Sequence, residues 1–422
     1  MRKSIYVGIL VLLIGSLIFP GSVFAAGKKL RVQADAWIIK KFPLYEAAKK
    51  FEKDHPNVSV TVFKKDPQAS TQGYLMWWKS GRCNVDLAVG VEAARLSPLV
   101  EANLLVPWDD FFTGNFTRDQ FIPALVDVGI FHGKQYVLPF MGEVMFISVN
   151  KEMFKNAGLV DLNGDIIPAK TFGELRDYAR KLTNESKGIR GLDLNWGWNF
   201  LMQTYLSGLQ ALRGNIYEAD NNTIAFDSPE SLQFLTFAQS IVRDGWGGKG
   251  SIADNNVPRN DFKAGKVAMI WTAHSRFMEG ANVLGKDKVT VMSIPRSDKN
   301  GTLAYGHCVY IPKLSPVPDL AKQFVKEQMM AHWFKAWTWK RYAKLPVLKR
   351  NYEGLAYPKI ISRILAAAKK ATYCPKYRDY NQLDKLCQRE IQNMIMGKQS
   401  PQQTINNIIS GEKGLVLVRL SK

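Results

Sequence analysis

The apolar positions of this chain follow two rhythms, one of period two and one of period near 3.6. Leu30, Val32, Ala34 and Ala36 alternate with polar or charged residues, which predicts a half-buried strand. Pro43 can open a helix, where its missing N–H costs nothing. Leu44, Ala47, Ala48 and Phe51 then fall at i, i+3, i+4 and i+7 on one helical face. His55-Pro56-Asn57 breaks that helix, and Val58, Val60 and Val62 give a second strand. A helix around residues 74–79 and a third strand over 84–90 follow. This strand–helix–strand order predicts parallel strands joined right-handedly, and its repetition predicts an α/β fold. The segment 138–159, LPFMGEVMFISVNKEMFKNAGL, is an apolar run that leads into a charged helical turn at Asn150-Lys151-Glu152. It also contains Glu143. Burying an unpaired carboxylate is costly, so Glu143 needs a buried partner or faces a cleft.

The chain's first residues have a different character. Arg2 and Lys3 precede an apolar run over residues 5–19, then Pro20-Gly21-Ser22-Val23-Phe24-Ala25-Ala26. This is the order of a secretory signal peptide, residues 1–25, with cleavage expected after Ala25. The mature protein is therefore expected in the periplasm or outside the cell. The length of 422 residues exceeds what one core organises, so two domains are expected. No internal repeat or clean linker separates them, so strands should cross between them. The formal charge is +20, and removing Arg2 and Lys3 lowers it by two to +18. These charges are spread along the chain, which argues against a nucleic-acid-binding tail. Cys83, Cys308, Cys374 and Cys387 match no zinc spacing. Export permits disulfides, and Cys374 and Cys387, close in sequence, are the expected bridge; four free thiols are the alternative.

Several motifs in fixed order extend the reading. They are Phe51-Glu52-Lys53-Asp54-His55-Pro56-Asn57-Val58, Val85-Asp86-Leu87, Leu105-Val106-Pro107-Trp108-Asp109, and Gly133-Lys134-Gln135-Tyr136-Val137-Leu138-Pro139. Asn150-Lys151-Glu152-Met153-Phe154 with Ala157-Gly158-Leu159 comes next, then Phe226-Asp227-Ser228-Pro229-Glu230 and Phe262-Lys263-Ala264-Gly265-Lys266-Val267-Ala268-Met269. Their order resembles the extracellular solute-binding proteins of bacterial ABC importers, in the carbohydrate-binding group that includes maltose-binding protein. The resemblance implies a two-lobe architecture with three interlobe crossings, near residues 139–143, 271–276 and 330–340. It implies a first lobe of residues 26–139 and 276–332 and a second lobe of 140–275 and 333–422. It also implies hinge closure on a ligand, docking on membrane permease subunits driven by a cytoplasmic ATPase, a monomeric receptor and no cofactor.

Sugars are held by aromatic faces and directed polar groups. By resemblance, Glu143 sits at the mouth of the cleft just after the first crossing; a buried, paired glutamate is the alternative. Trp196 and Trp198, in Asn195-Trp196-Gly197-Trp198-Asn199, fall where the family places an aromatic of the second lobe. Trp37, at the end of the first strand, falls in the family's first binding loop; Gln72 and Glu92 hold similar positions. Where the family often has Gly-Pro-Trp after the 268–269 strand, this chain has Ala273-His274-Ser275, then Arg276. His307, next to Tyr305, falls in another cleft-facing region, and Tyr342 near the third crossing. The missing indole and the nearby His274, Arg276 and His307 suggest an acidic oligosaccharide, with Trp271 supplying the lost stacking surface. The bland alternative pairs Arg276 with a structural acid.

Other chemistries fit less well. The stretch 332–342 mixes aromatics with bases, but Trp333 and Trp337 share a helical face, so core packing is expected rather than nucleic-acid stacking. Asp161, Asn163 and Asp165 imitate a calcium loop, yet Ile166 and Phe172 stand where glycine and glutamate are required, so no metal is expected. An exported glycan hydrolase or lyase is the rival class, with Glu92 and Glu143 as an imagined carboxylate pair; no nucleophile motif supports it, so no catalytic residue is assigned. The tail beyond Gly411 has no assigned role.

Overall fold

The computed structural model describes residues 27–66, 70–90, 92–197 and 200–420. The expected signal peptide lies outside these residues, as does Trp198. The strands are β1 (Lys28–Ala34), β2 (Val58–Lys64), β3 (Leu87–Gly90), β4 (Ile130–Phe131), β5 (Lys134–Gln135), β6 (Leu138–Asn150), β7 (Arg190–Leu194), β8 (Val267–Ala273), β9 (Val289–Met292), β10 (Ala304–Tyr310) and β11 (Leu345–Pro346). The β1–helix–β2 unit reads as expected: β1 runs parallel to β2 and to β3, and Leu44, Ala47, Ala48 and Phe51 form the buried face of the helix Leu44–Asp54.

β6 organises the molecule. The strand order is β2-β1-β3-β10-β6-β8-β7, with β9 and β11 also paired to β6. Along its first part β6 pairs antiparallel with β10, from Leu138 opposite Val309 to Val144 opposite Ala304. From Met145 onward it pairs with β8, starting opposite Ala273, and with β9. The strand therefore changes partners between Val144 and Met145. Every residue of β6 is buried, and a strand covered on both faces needs a continuous apolar run. Asn150 ends it: its side chain accepts from the N–H groups of Glu152 (3.1 Å) and Met153 (3.2 Å) and caps the helix Lys151–Asn156.

β6 feeds two cores, and past Val144 its alternate side chains divide between them, Phe146 joining the first and Met145, Ile147 and Val149 the second. Leu30, Val32, Phe51, Leu138, Phe140 and Phe334 belong to one cluster. Met145, Ile147, Val149, Leu192, Leu209 and Phe234 belong to another. A smaller cluster gathers Tyr74, Trp78, Leu99 and Tyr310. The helix His332–Tyr342 packs Phe334 and Trp339 inward, and the Trp339 ring N–H donates to the Ala356 carbonyl (2.9 Å).

Two findings alter the expectations. All four cysteines are free thiols, so the expected Cys374–Cys387 bridge is not formed. Both are buried in the second core, where they pack as small apolar side chains. The tail, which had no assigned role, ties together two distant segments. Leu420 is buried in the cluster of Tyr74 and Trp78, and its carbonyl accepts from His132 N–H (2.6 Å). Next to it, Arg419 N–H donates to the Asn222 side chain (2.8 Å).

Close packing of β7 on the helix Phe172–Leu182 gives a direct test. A methyl at Gly191 would lie 1.8 Å from the Ala179 carbonyl oxygen, which belongs to helix backbone and cannot yield. Gly191→Ala should destabilise by about 3 kcal/mol in urea denaturation. Gly158→Ala, at φ +64° with open space around it, should cost only about 1 kcal/mol.

Candidate ligand-binding site

Glu143 lies one residue before β6 changes partners, and it is 1% exposed. Its carboxylate accepts four donors. Lys344 Nζ lies 2.5 Å away, His307 Nε2 2.9 Å and Tyr305 OH 3.0 Å, and Ser275 Oγ donates to the other oxygen. These partners come from β10, from the turn after β8 and from the residue preceding β11. One carboxylate thus joins every segment that meets β6 at the point of change. Burial opposes its ionisation, but Lys344, His307 and Arg276 hold it well below the usual carboxylate range. Burial pulls Lys344 down to about 7, with Glu143 acting in the opposite direction.

The histidines here are neutral. A carboxylate only accepts, so His307 carries its proton on Nε2, and burial lowers it to about 4. His274 is fully buried and held by backbone alone. Its Nδ1 accepts from Val144 N–H (3.1 Å) and its Nε2–H donates to the Ala343 carbonyl (2.8 Å). Burial lowers it to about 4 as well. His274 is therefore a cross-brace between β6 and the segment before β11, not the cationic ligand contact expected from the sequence.

Outside this hub stands Trp37, in the helix Ala36–Lys41 that follows β1. It is 37% exposed, and its ring centroid lies 5.5 Å from that of His307 in an edge-on arrangement. Tyr342 is partly exposed, with Lys41 Nζ 5.1 Å from its ring centroid. Lys41 reaches Glu279, which also pairs with Arg276. The structure thus brings Trp37, Glu143, Tyr305 and His307 into one set of contacts, and links Tyr342 with Arg276 through Lys41 and Glu279.

Four expected residues are elsewhere. Trp271 is fully buried in the second core, where it packs against Phe172, Phe234 and Phe237 and donates to Ser207 Oγ (3.0 Å). It supplies no exposed stacking surface. Trp196 is likewise buried in that core. Glu92 pairs with Arg95 (3.0 Å), which also binds Asp384 (2.8 Å) on the helix Tyr380–Ile395. Gln72 is exposed on the helix Thr71–Lys79. Sequence reasoning missed Ser275, Lys344, Lys41, Arg259 and Glu279. The usable signal for Lys344 was a lone lysine before the apolar residues Leu345-Pro346-Val347-Leu348, complementary to the lone acid in β6.

A long strand shared by two cores, with several chain crossings pinned at one point, defines a two-lobe binding-protein architecture. Residues 46–350 match the bacterial extracellular solute-binding protein family, and the chain belongs to that family. It is 25% identical over 270 residues to binding proteins of Brucella abortus (strain 2308) and Brucella suis biovar 1 (strain 1330). That match spans 62% of this chain and 62% of the length of each relative. Among solved structures, an ABC transporter solute-binding protein of Thermotoga lettingae TMO, bound with alpha-D-tagatose, superimposes with TM-score 0.79 at 22% identity, over 92% of this chain and 99% of that one. The GacH receptor of Streptomyces glaucescens GLA.O, solved unliganded and with acarbose, gives 0.77 at 20% identity, over 92% and 98%. Maltose-bound MalE3 of T. maritima gives 0.76 at 16% identity, over 92% and 100%. These likenesses show the two-lobe fold.

The hub makes stability depend on its pairing. Lys344→Met leaves a buried carboxylate without its cation and should destabilise by about 3–5 kcal/mol in urea denaturation; adding Glu143→Gln should recover most of this loss. The histidines set a pH dependence. Their folded values, about 4, lie below the ordinary 6.5, so the unfolded chain binds more protons between these limits. Stability should therefore fall as pH drops from about 6.5 towards 4, and the depressed Glu143 adds to the loss below its own ordinary value. Urea midpoints at pH 7 and pH 4.5 check this; equal midpoints would contradict it.

Proposed function

We propose that this protein is an extracytoplasmic receptor that takes a carbohydrate between its two lobes and delivers it to an ABC importer. The observation that carries the proposal is the exposed Trp37 ring against the buried polar hub where β6 changes partners. An indole face suits the C–H face of a sugar ring, while neighbouring polar groups suit its hydroxyls. Family membership supports the receptor role, and the tagatose-, acarbose- and maltose-bound relatives support a carbohydrate ligand. The proposed lobes are residues 26–139 with 276–332, and 140–275 with 333–422. Ligand contacts from both lobes exist together only in the closed arrangement, so binding favours closure. The closed monomer docks on permease subunits and, through them, a cytoplasmic ATPase drives uptake. No helix among the described residues is long and apolar enough to cross a membrane, in keeping with a receptor that works beside its permease.

A hydrolase or lyase is disfavoured by the state of its imagined carboxylates. Glu143 is held ionised by Lys344, and Glu92 is engaged in an ion pair with Arg95.

Ligand carried through purification, identified by mass spectrometry, tests the receptor reading. Added saccharide should shrink the radius of gyration in X-ray scattering and be recovered chemically unchanged. Trp37→Ala should weaken its binding about tenfold. Turnover of the saccharide would overturn the proposal.

A further inference from the structure

Beside the hub lies a cluster of charge that Glu143 does not account for. Lys41, Arg259 on the helix Val257–Lys263, and Arg276 at the start of the helix Arg276–Leu284 all converge on Glu279. Lys41 Nζ lies 2.9 Å from its carboxylate, Arg259 Nη2 2.7 Å and Arg276 Nη1 2.8 Å. The further carboxylate that acts on Arg276 and Arg259 is Glu143, already paired with Lys344. Among the described residues, the carboxylates acting on Lys41, Arg259, Arg276 and Lys344 are Glu143 and Glu279. Like charges this close repel. Burial and the neighbouring Arg276 depress both Lys41 and Arg259 from their ordinary values.

Arg276 sharpens the imbalance. It is 6% exposed, and its Nε–H has no hydrogen-bond partner among the described residues. A buried donor left unpaired costs about 1–3 kcal/mol. The guanidinium carbon lies 5.8 Å from the Phe200 ring centroid. Lys41 and Arg259 keep partial access to solvent, and Lys41 also borders the Tyr342 ring. Pairing with Glu279 thus satisfies one edge of Arg276 and leaves both positive charge and a directed donor in reserve. An additional anion would satisfy both. The neutral His274 and His307, expected from the sequence to add positive charge, contribute none.

We propose that Lys41, Arg259 and Arg276 form a subsite for an anionic group, so that the saccharide taken by this receptor carries a carboxylate, sulfate or phosphate. Guanidinium groups bind all of these with charge-assisted hydrogen bonds. The inference rests on the carbohydrate-receptor reading and specifies the charge of its ligand.

The test is a glycan array carrying neutral, uronic, sulfated and phosphorylated saccharides, probed with the labelled full chain. Binding should be confined to acidic glycans, and the array's classes identify which anion is read. Lys41→Gln should weaken that binding about tenfold and Lys41→Arg should restore it, with melting curves confirming that both variants fold. Preference for neutral glycans, or acidic binding that Lys41→Gln leaves unchanged, would overturn the anionic subsite and leave the receptor reading intact. No glycan binding at all would sink the carbohydrate reading and the subsite with it.

Discussion

A carboxylate with almost no exposure, placed where a strand exchanges one set of neighbours for another, constrains everything around it. Glu143 cannot be desolvated alone. Its four partners lie on β10, in the turn after β8 and just before β11. Satisfying one side chain therefore requires distant stretches of chain to arrive at one point. Apolar packing builds the two cores that β6 feeds, but packing is tolerant of small shifts. Directed bonds to a buried charge are less so, and they fix the place where β6 exchanges β10 for β8 and β9.

The same desolvation controls the neighbouring charges. Burial keeps His274 and His307 neutral, which lets each serve as a fixed hydrogen-bonding brace rather than as a cation. Positive charge is instead supplied by Lys41, Arg259 and Arg276, gathered from helices far apart in sequence. Aromatic surface is divided just as sharply. Trp37 remains exposed beside the hub, while Trp271 and Trp196 fill the second core. The residue types that recognise sugars and the residue types that fill cores are the same, and only their placement separates the two uses.

Other long-range contacts add a further layer. Arg95 joins Glu92 to Asp384, and the tail lays Leu420 in one cluster while Arg419 holds Asn222. These contacts join segments as far apart in sequence as those of the hub, and Glu92 and Asp384 are buried like Glu143.

The sequence by itself determined the local elements, the α/β class and the family resemblance, because those follow from periodicity, caps and motif order. Leu30–Val32–Ala34 and Leu44–Ala47–Ala48–Phe51 read correctly as strand and helix because their buried faces are set by neighbours a few residues away. The same reading marked Glu143 as needing a buried partner or a cleft. It could not say that Lys344, two hundred residues later, was that partner, nor that Trp271 faces a core and Trp37 does not. Periodicity assigns a residue to a face but not to what that face meets. Tertiary structure alone decided it, because pairing a buried charge and covering an indole both depend on which remote segments the folded chain brings together.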